Sequence, residues 1–95
     1  MAKEAATGAF LVQRLIKLDG EGTLRAFCDL VVGDFVVIKG LRVVNGRKGL
    51  FVSMPRQQGK DTKWYDVVEP LTREVKQEVD QLVLSAYEQA AQGQA

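Results

Sequence analysis

The pattern of apolar positions up to Pro70 predicts an antiparallel sheet. Alternation is clearest at residues 23–32, where Leu24, Ala26 and Cys28 fall on one face at a period of two. Pairs of residues that favour tight turns separate the apolar segments, namely Asp19-Gly20, Gly33-Asp34 and Asn45-Gly46. Five strands are therefore predicted, at residues 9–18, 23–32, 35–44, 50–54 and 63–68, with a long loop over residues 55–63.

The spacing of apolar residues becomes helical after Pro70, which ends the predicted sheet. Thr72 can act as an N-cap because its hydroxyl can accept a free N–H of the first turn. One apolar stripe follows, formed by Val75, Val79, Leu82, Val83, Ala86 and Tyr87. We predict a helix over residues 72–89 that packs on the sheet, hence one α+β domain over residues 9–90 with a flexible leader (1–8) and tail (91–95).

The start of the third predicted strand is apolar on both faces, at Phe35, Val36, Val37 and Ile38. A small antiparallel sheet buries both faces of a strand only if a helix or another subunit covers the second face. A helix or another subunit is therefore expected to cover the second face, and in the second case these four residues are the candidate dimer interface. The helix stripe is most simply core, with part of a dimer interface as the alternative.

Charge is distributed unevenly, although the net charge of the 95 residues is only +1. Residues 1–65 carry eleven Lys and Arg against six Asp and Glu, whereas residues 66–95 carry two against six. The acidic helix is a poor surface for a polyanion, so a nucleic acid is expected to meet the loops at the sheet ends.

The most cationic segment is residues 39–63, with seven cations against one acid, Asp61. Nucleic acids need cations for phosphates and directional groups for bases or sugars. Trp64 and Tyr65 are neighbours in a predicted strand and point to opposite faces, so Trp64 is expected in the core and Tyr65 more exposed. The candidate binding residues are Arg47, Lys48, Arg56, Gln57, Gln58, Lys60, Lys63 and Tyr65. The alternative is an ordinary solvated loop.

Catalysis has little support in the sequence. The chain has no histidine, which removes the commonest base and the commonest metal ligand. The close carboxylate pairs, Asp19/Glu21 and Asp61/Asp66, lie in turns or beside a strand, and Cys28 is predicted to be a core residue. The glycines form no phosphate-binding fingerprint. We predict no enzyme activity, cofactor, metal or small-molecule substrate, and neither a membrane span nor a secretory signal.

Several segments together resemble the stage V sporulation protein G (SpoVG) family, over roughly residues 10–88. The most specific is Gly49-Leu50-Phe51-Val52-Ser53-Met54-Pro55, followed by Asp66-Val67-Val68-Glu69-Pro70 and a helix ending at Ala86-Tyr87. Further matching segments are Leu18-Asp19-Gly20, Leu24-Arg25-Ala26, Phe35-Val36-Val37 and Leu41-Arg42-Val43-Val44-Asn45-Gly46.

This resemblance implies a small cytoplasmic bacterial protein that binds DNA, and RNA in some members, and regulates gene expression and septation. It also implies a homodimer. The loop departs from the family pattern: Arg56-Gln57-Gln58 stands where familiar members have a Lys-Arg pair, and Trp64-Tyr65-Asp66 replaces Phe-Arg-Asp. Basic character is kept but redistributed. The alternative hypothesis is a scaffold dimer that acts on cell-division proteins without binding nucleic acid.

Overall fold

The structure is a computed structural model that describes residues 6–7, 9–20 and 22–92. It consists of a five-stranded antiparallel sheet, a separate two-stranded hairpin and one C-terminal helix. The strands of the sheet lie side by side in chain order. They are β1 (Ala6–Thr7), β2 (Phe10–Lys17), β3 (Leu24–Val32), β4 (Val36–Gly46) and β5 (Gly49–Ser53). The hairpin is β6 (Arg56–Gln58) with β7 (Trp64–Asp66), and the helix is α1 (Arg73–Ala91). The predicted α+β fold is confirmed.

Helix α1 covers one face of the sheet and forms the core with it. Val79, Leu82, Val83 and Tyr87 of the helix are buried. They belong to one cluster with residues from three strands, namely Ala26, Cys28, Leu30, Leu41, Val43 and Val52. The predicted burial of Cys28 and of the helix stripe is confirmed. The predicted Thr72 cap is confirmed as well, since the Thr72 hydroxyl accepts a hydrogen bond from the Val75 N–H at 3.1 Å.

Two irregularities shift the register along β3 and β4. Cys28 lies opposite Leu41, but the next pair is Asp29 with Lys39, so Gly40 is an extra residue in β4. Gly40 has a φ of +93°, in the region that favours glycine. This bulge lets Lys39 and Leu41 point to opposite faces although both have partners on β3.

No helix of the described residues covers the face of the sheet opposite α1, and we call it the open face. By the strand register it carries Leu11, Ile16, Val37 and Phe51, which are all exposed large apolar side chains. The predicted interface residues lie at one corner of this sheet, where Phe35 is 88% exposed and Val36 is 55% exposed. Ile38 is half-buried.

The sequence-based assignment was wrong for the fifth strand. Residues 63–68 were expected to join the main sheet, but β7 pairs with β6 in a hairpin of its own, inside the segment predicted as a loop. Trp64 was expected in the core and is 54% exposed. The physical reason is that two paired strands alone have no second layer against which a side chain can be buried.

Parts of the predicted leader and tail, residues 1–5, 8 and 93–95, lie outside the described residues. Within the leader, Ala6 pairs with Leu11 and Thr7 with Phe10. Within the described residues, no helix is long and apolar enough to cross a membrane.

Candidate nucleic-acid interface

A cavity of about 460 Å³ lies between β4 and the β6–β7 hairpin. Lys39 and Arg42 line it from β4, and Arg56 and Trp64 line it from the hairpin. Gly40 and the Ser53-Met54-Pro55 segment complete the walls. We call this site the basic groove.

The groove exists because β5 is shorter than β4. Strand β5 pairs with β4 only from Arg42 to Gly46, and it ends at Ser53, shortly before Pro55. Proline has no N–H to continue a ladder, so the chain leaves the sheet there. In the described part of the chain, Val36–Leu41 of β4 therefore has a partner strand on one side only, and the hairpin stands beside this free edge.

The register of the hairpin sorts its side chains onto two faces. Arg56 lies opposite Asp66 and Gln58 opposite Trp64, so these four share one face. Gln57 and Tyr65 form the cross-strand pair on the other face. The predicted binding residues of the hairpin therefore do not all reach the same surface.

Arg56 is held inside the hairpin by two contacts. Its Nε lies 3.0 Å from Asp66 Oδ1, and its Nη2 donates to the Trp64 carbonyl oxygen at 3.4 Å. This exposed ion pair neutralises part of the charge that Arg56 brings to the groove. Neither Lys39 nor Arg42 forms an ion pair with a carboxylate of the described residues. The guanidinium of Arg42 lies 6.0 Å from the centre of the Phe27 ring, which leaves its charge available.

The turn of the hairpin is built around Asp61. Its carboxylate accepts hydrogen bonds from the Tyr65 hydroxyl and, at 3.1 Å, from the Lys63 N–H. The bond from Tyr65 lowers the pKa of Asp61 most, and the bond from the Lys63 N–H lowers it further. The bond between Tyr65 and Asp61 also raises the pKa of the Tyr65 hydroxyl. The Tyr65 ring also lies against Gly59, where a Cβ would come within 2.8 Å of it. The hydroxyl of Tyr65 and one side of its ring are thus engaged in the turn, and less of this side chain can contact a ligand than the sequence indicated.

The remaining predicted cations lie away from the groove. Arg47 and Lys48 form the β4–β5 turn, at the other end of β5 from Ser53. That separation is roughly 17 Å at the usual rise of an antiparallel strand. Lys60 and Lys63 lie in the hairpin turn. The structure therefore divides the predicted site into a groove, a hairpin turn and a distant sheet turn.

Three groove residues were not among the predicted binding residues: Lys39, Arg42 and Trp64. Both cations were counted in the basic segment, and the sequence contained a signal for the face of the sheet on which they lie. Arg42 lies between Leu41 and Val43, which are buried, so strand alternation already placed it on the face opposite the helix. For Trp64 no such signal existed, because its exposure depends on the hairpin standing outside the sheet.

Metal chemistry finds no geometric support at this interface. In residues 6–7, 9–20 and 22–92, no three potential metal-ligating side chains of His, Cys, Asp or Glu come together. The features that remain are cations, hydrogen-bonding amides and an exposed indole. This combination defines a class: a small α+β domain with a cationic groove beside a β-hairpin.

Comparison with known proteins makes the relationship specific. The chain matches the SpoVG family over residues 12–89, and it belongs to that family. A SpoVG septation protein of Symbiobacterium thermophilum is 44% identical over 75 residues, which cover 79% of this chain and 54% of the relative. One of Archaeoglobus fulgidus is 40% identical over 76 residues, 80% of this chain and 89% of the relative. This chain therefore spans about half of the first relative's length but most of the second's. The suspected resemblance is confirmed.

Proposed function

We propose that this protein is a nucleic-acid-binding regulatory protein of the SpoVG type that influences gene expression and septation, with DNA and RNA as the two candidate ligands. The observation that supports the proposal is the basic groove, where Lys39 and Arg42 stand free of described ion pairs beside an exposed Trp64. Cations provide affinity for phosphates, and an aromatic face and amides provide contacts to bases. The link to septation rests on the names of the relatives.

The position of the groove agrees with the charge distribution. Arg42 alternates with the buried Leu41 and Val43, so it points away from the helix, whose acidic residues include Glu74 and Glu88. A polyanion in the groove would thus approach from the side of the sheet that lacks the acidic helix. Repulsion between phosphates and the helix carboxylates is thereby reduced.

A titration across salt concentrations tests this function. Fluorescence anisotropy of labelled duplex DNA, single-stranded DNA and RNA should show binding whose affinity falls as salt rises. The log–log slope should be about −0.9 per phosphate contact on a duplex and about −0.7 on a single strand. The Lys39→Gln/Arg42→Gln variant should flatten the slope by about two contacts.

A matched control removes two cations elsewhere, in Lys17→Gln/Arg73→Gln, and should leave the slope near its original value. A third variant, Lys60→Gln/Lys63→Gln, measures the contribution of the hairpin turn. Unchanged affinity and slope in a folded Lys39→Gln/Arg42→Gln variant would show that the groove is not the phosphate site. No binding by any of the nucleic acids at low salt would end the proposal.

A second candidate function is a scaffold that binds cell-division proteins. It is favoured by the exposed apolar residues at the corner of the sheet, where Phe35 is 88% exposed. A stoichiometric protein partner that remains bound after nuclease treatment, and is lost from Phe35→Ser, would support this function. Loss of the partner on nuclease treatment would instead assign the association to nucleic acid.

We also propose that the protein forms a homodimer through β4. The start of the free edge, at residues 36–38, offers unpaired backbone N–H and C=O groups, and Val36 and Val37 add exposed apolar surface. Pairing of two such edges would extend the sheet from one copy into the other. Two basic grooves would then lie near the junction, because Lys39 follows the proposed interface directly and Arg42 lies three residues further along β4.

A further inference from the structure

Trp64 has an unusual position for a tryptophan in so small a domain. It is the only tryptophan of the chain, and 54% of it is exposed. The hairpin holds it in place by its backbone, since its carbonyl oxygen accepts a bond from Arg56. A large aromatic side chain that is ordered, exposed and set in a concave site is typical of a ligand contact rather than of solvent exposure.

The surroundings of the indole favour an anionic ligand that carries a flat ring. Lys39 and Arg42 line the same cavity from β4. At Gly40, between them, a Cβ would meet no atom within 4 Å, so open space lies above this part of the wall. At about 460 Å³ the cavity is in the range of small-ligand sites and has no room for a double helix.

We propose that the basic groove binds one unpaired nucleotide of a single strand, with its base stacked on Trp64 and its flanking phosphates on Lys39 and Arg42. Inside a duplex both faces of every base are covered by the neighbouring base pairs, whereas an unpaired base can present a face to an indole. Stacking of this kind tolerates any base sequence. The proposal rests on the proposed function and specifies the form of nucleic acid that the groove selects.

The competing mode is insertion of the β6–β7 hairpin into the major groove of a duplex, which can admit a two-stranded ribbon. The charge of the hairpin tip does not decide between the two modes, because Asp61 lies in the turn together with Lys60 and Lys63. The environment of Trp64 does decide, since only the groove mode places a base against the indole.

The single tryptophan supplies a direct readout. A thymidine oligonucleotide should quench the fluorescence of Trp64 in a saturable way, whereas a duplex of equal length should quench it little at equal occupancy. Occupancy is measured independently by anisotropy of the labelled strand. An oligonucleotide of the same length made of abasic sugar-phosphate units keeps the phosphates but offers no base to stack, so it should bind more weakly and leave the fluorescence unchanged.

Variants separate stacking from charge. Trp64→Ala should weaken binding of the thymidine strand by about 5- to 150-fold, the range for the loss of one stacked base. It should leave binding of the abasic strand unchanged, so the preference for bases disappears. Trp64→Phe should retain most of the preference. Leu71→Ala, which removes a large apolar side chain that is 95% exposed outside the sheet, should change neither affinity.

The outcomes distinguish this inference from the function on which it rests. Binding of single strands without quenching, or with an unaltered base preference in Trp64→Ala, would overturn the stacking and leave nucleic-acid binding in place. Tighter binding of duplex than of single strands, lost in Gln57→Ala, would support the hairpin mode instead. Absence of binding to every strand would overturn both proposals.

Discussion

At the scale of single residues, Cys28 illustrates how burial controls chemistry. This residue is 1% exposed and lies in the centre of β3. Burial first, and then the charge of Asp29, raises the pKa of this thiol to about 11. The thiolate is the reactive form of cysteine, so Cys28 is inert in the folded protein at neutral pH.

Cys28 is therefore predicted to react only when the protein opens. At pH 8 a disulfide-exchange reagent should modify the native protein at a small fraction of its rate in denaturant, and the native rate should rise with urea. Labelling at the same rate in both states would contradict the burial of the thiol.

The raised pKa also links Cys28 to stability. A group whose pKa is higher in the folded state stabilises the fold fully below its unfolded pKa, about 8.5, and loses that contribution as pH rises through about 11. The free energy of unfolding, measured with urea, should thus fall over this alkaline range. The fall should be smaller in Cys28→Ala, which cannot ionise at this position.

At the scale of elements, α1 depends on a defined start. The Thr72 side chain accepts from the Val75 N–H, and Glu74 lies in the first turn, where the positive helix end favours an acid. Because α1 supplies one side of the core, any loss at its N-terminus is expected to reach the whole domain.

Thr72→Ala should lower the free energy of unfolding by about 1 kcal/mol, the usual value of an N-cap hydroxyl. Thr72→Ser should retain most of it because serine caps equally well. Urea denaturation measures both. Thr23→Ala, an exposed threonine that caps no helix, is the control and should have little effect. Equal stability of Thr72→Ala and the parent would contradict the cap.

The β4 bulge is the element that connects the fold to the groove. Gly40 has a φ of +93° and no atom near its missing Cβ, so an alanine there meets backbone strain but no collision. Gly40→Ala should cost about 1–2 kcal/mol by urea denaturation. Gly20→Ala, where φ is not positive and space is equally open, should cost nothing. A neutral Gly40→Ala would mean that the bulge can be rebuilt without glycine.

At the scale of the whole molecule, the one helix within residues 6–7, 9–20 and 22–92 covers a single face of the sheet. The open face and the free edge of β4 together are the surface through which association would add to a modest core. Sedimentation velocity over a range of concentrations should show a dimer.

Val36→Lys/Val37→Lys should shift this equilibrium to the monomer, because lysine at an edge strand opposes pairing. Leu71→Lys, at an apolar residue that is 95% exposed outside the sheet, should leave the dimer intact. A monomer at all concentrations, or a dimer that tolerates the β4 substitutions, would contradict association through this edge.

Features that depend on local spacing could be predicted from the amino-acid sequence. The period of two at Leu24, Ala26 and Cys28 predicted a buried face of β3, and the period of the apolar residues after Thr72 predicted α1, because a strand or helix with one apolar face must bury it. The α+β class and the family relationship followed from the same residues.

Contacts between residues that are distant in sequence could not be predicted and became visible in the three-dimensional structure. Lys39 and Trp64 line one groove because β5 is shorter than β4 and leaves the first half of β4 without a partner, and because the hairpin lies outside the sheet. Gln57 and Trp64 are close in sequence yet lie on opposite faces of that hairpin. Strand length, register and pairing partner are set by long-range contacts, which a pattern of neighbouring residues does not contain. The exposure of Trp64 follows from them, and local periodicity could not predict it.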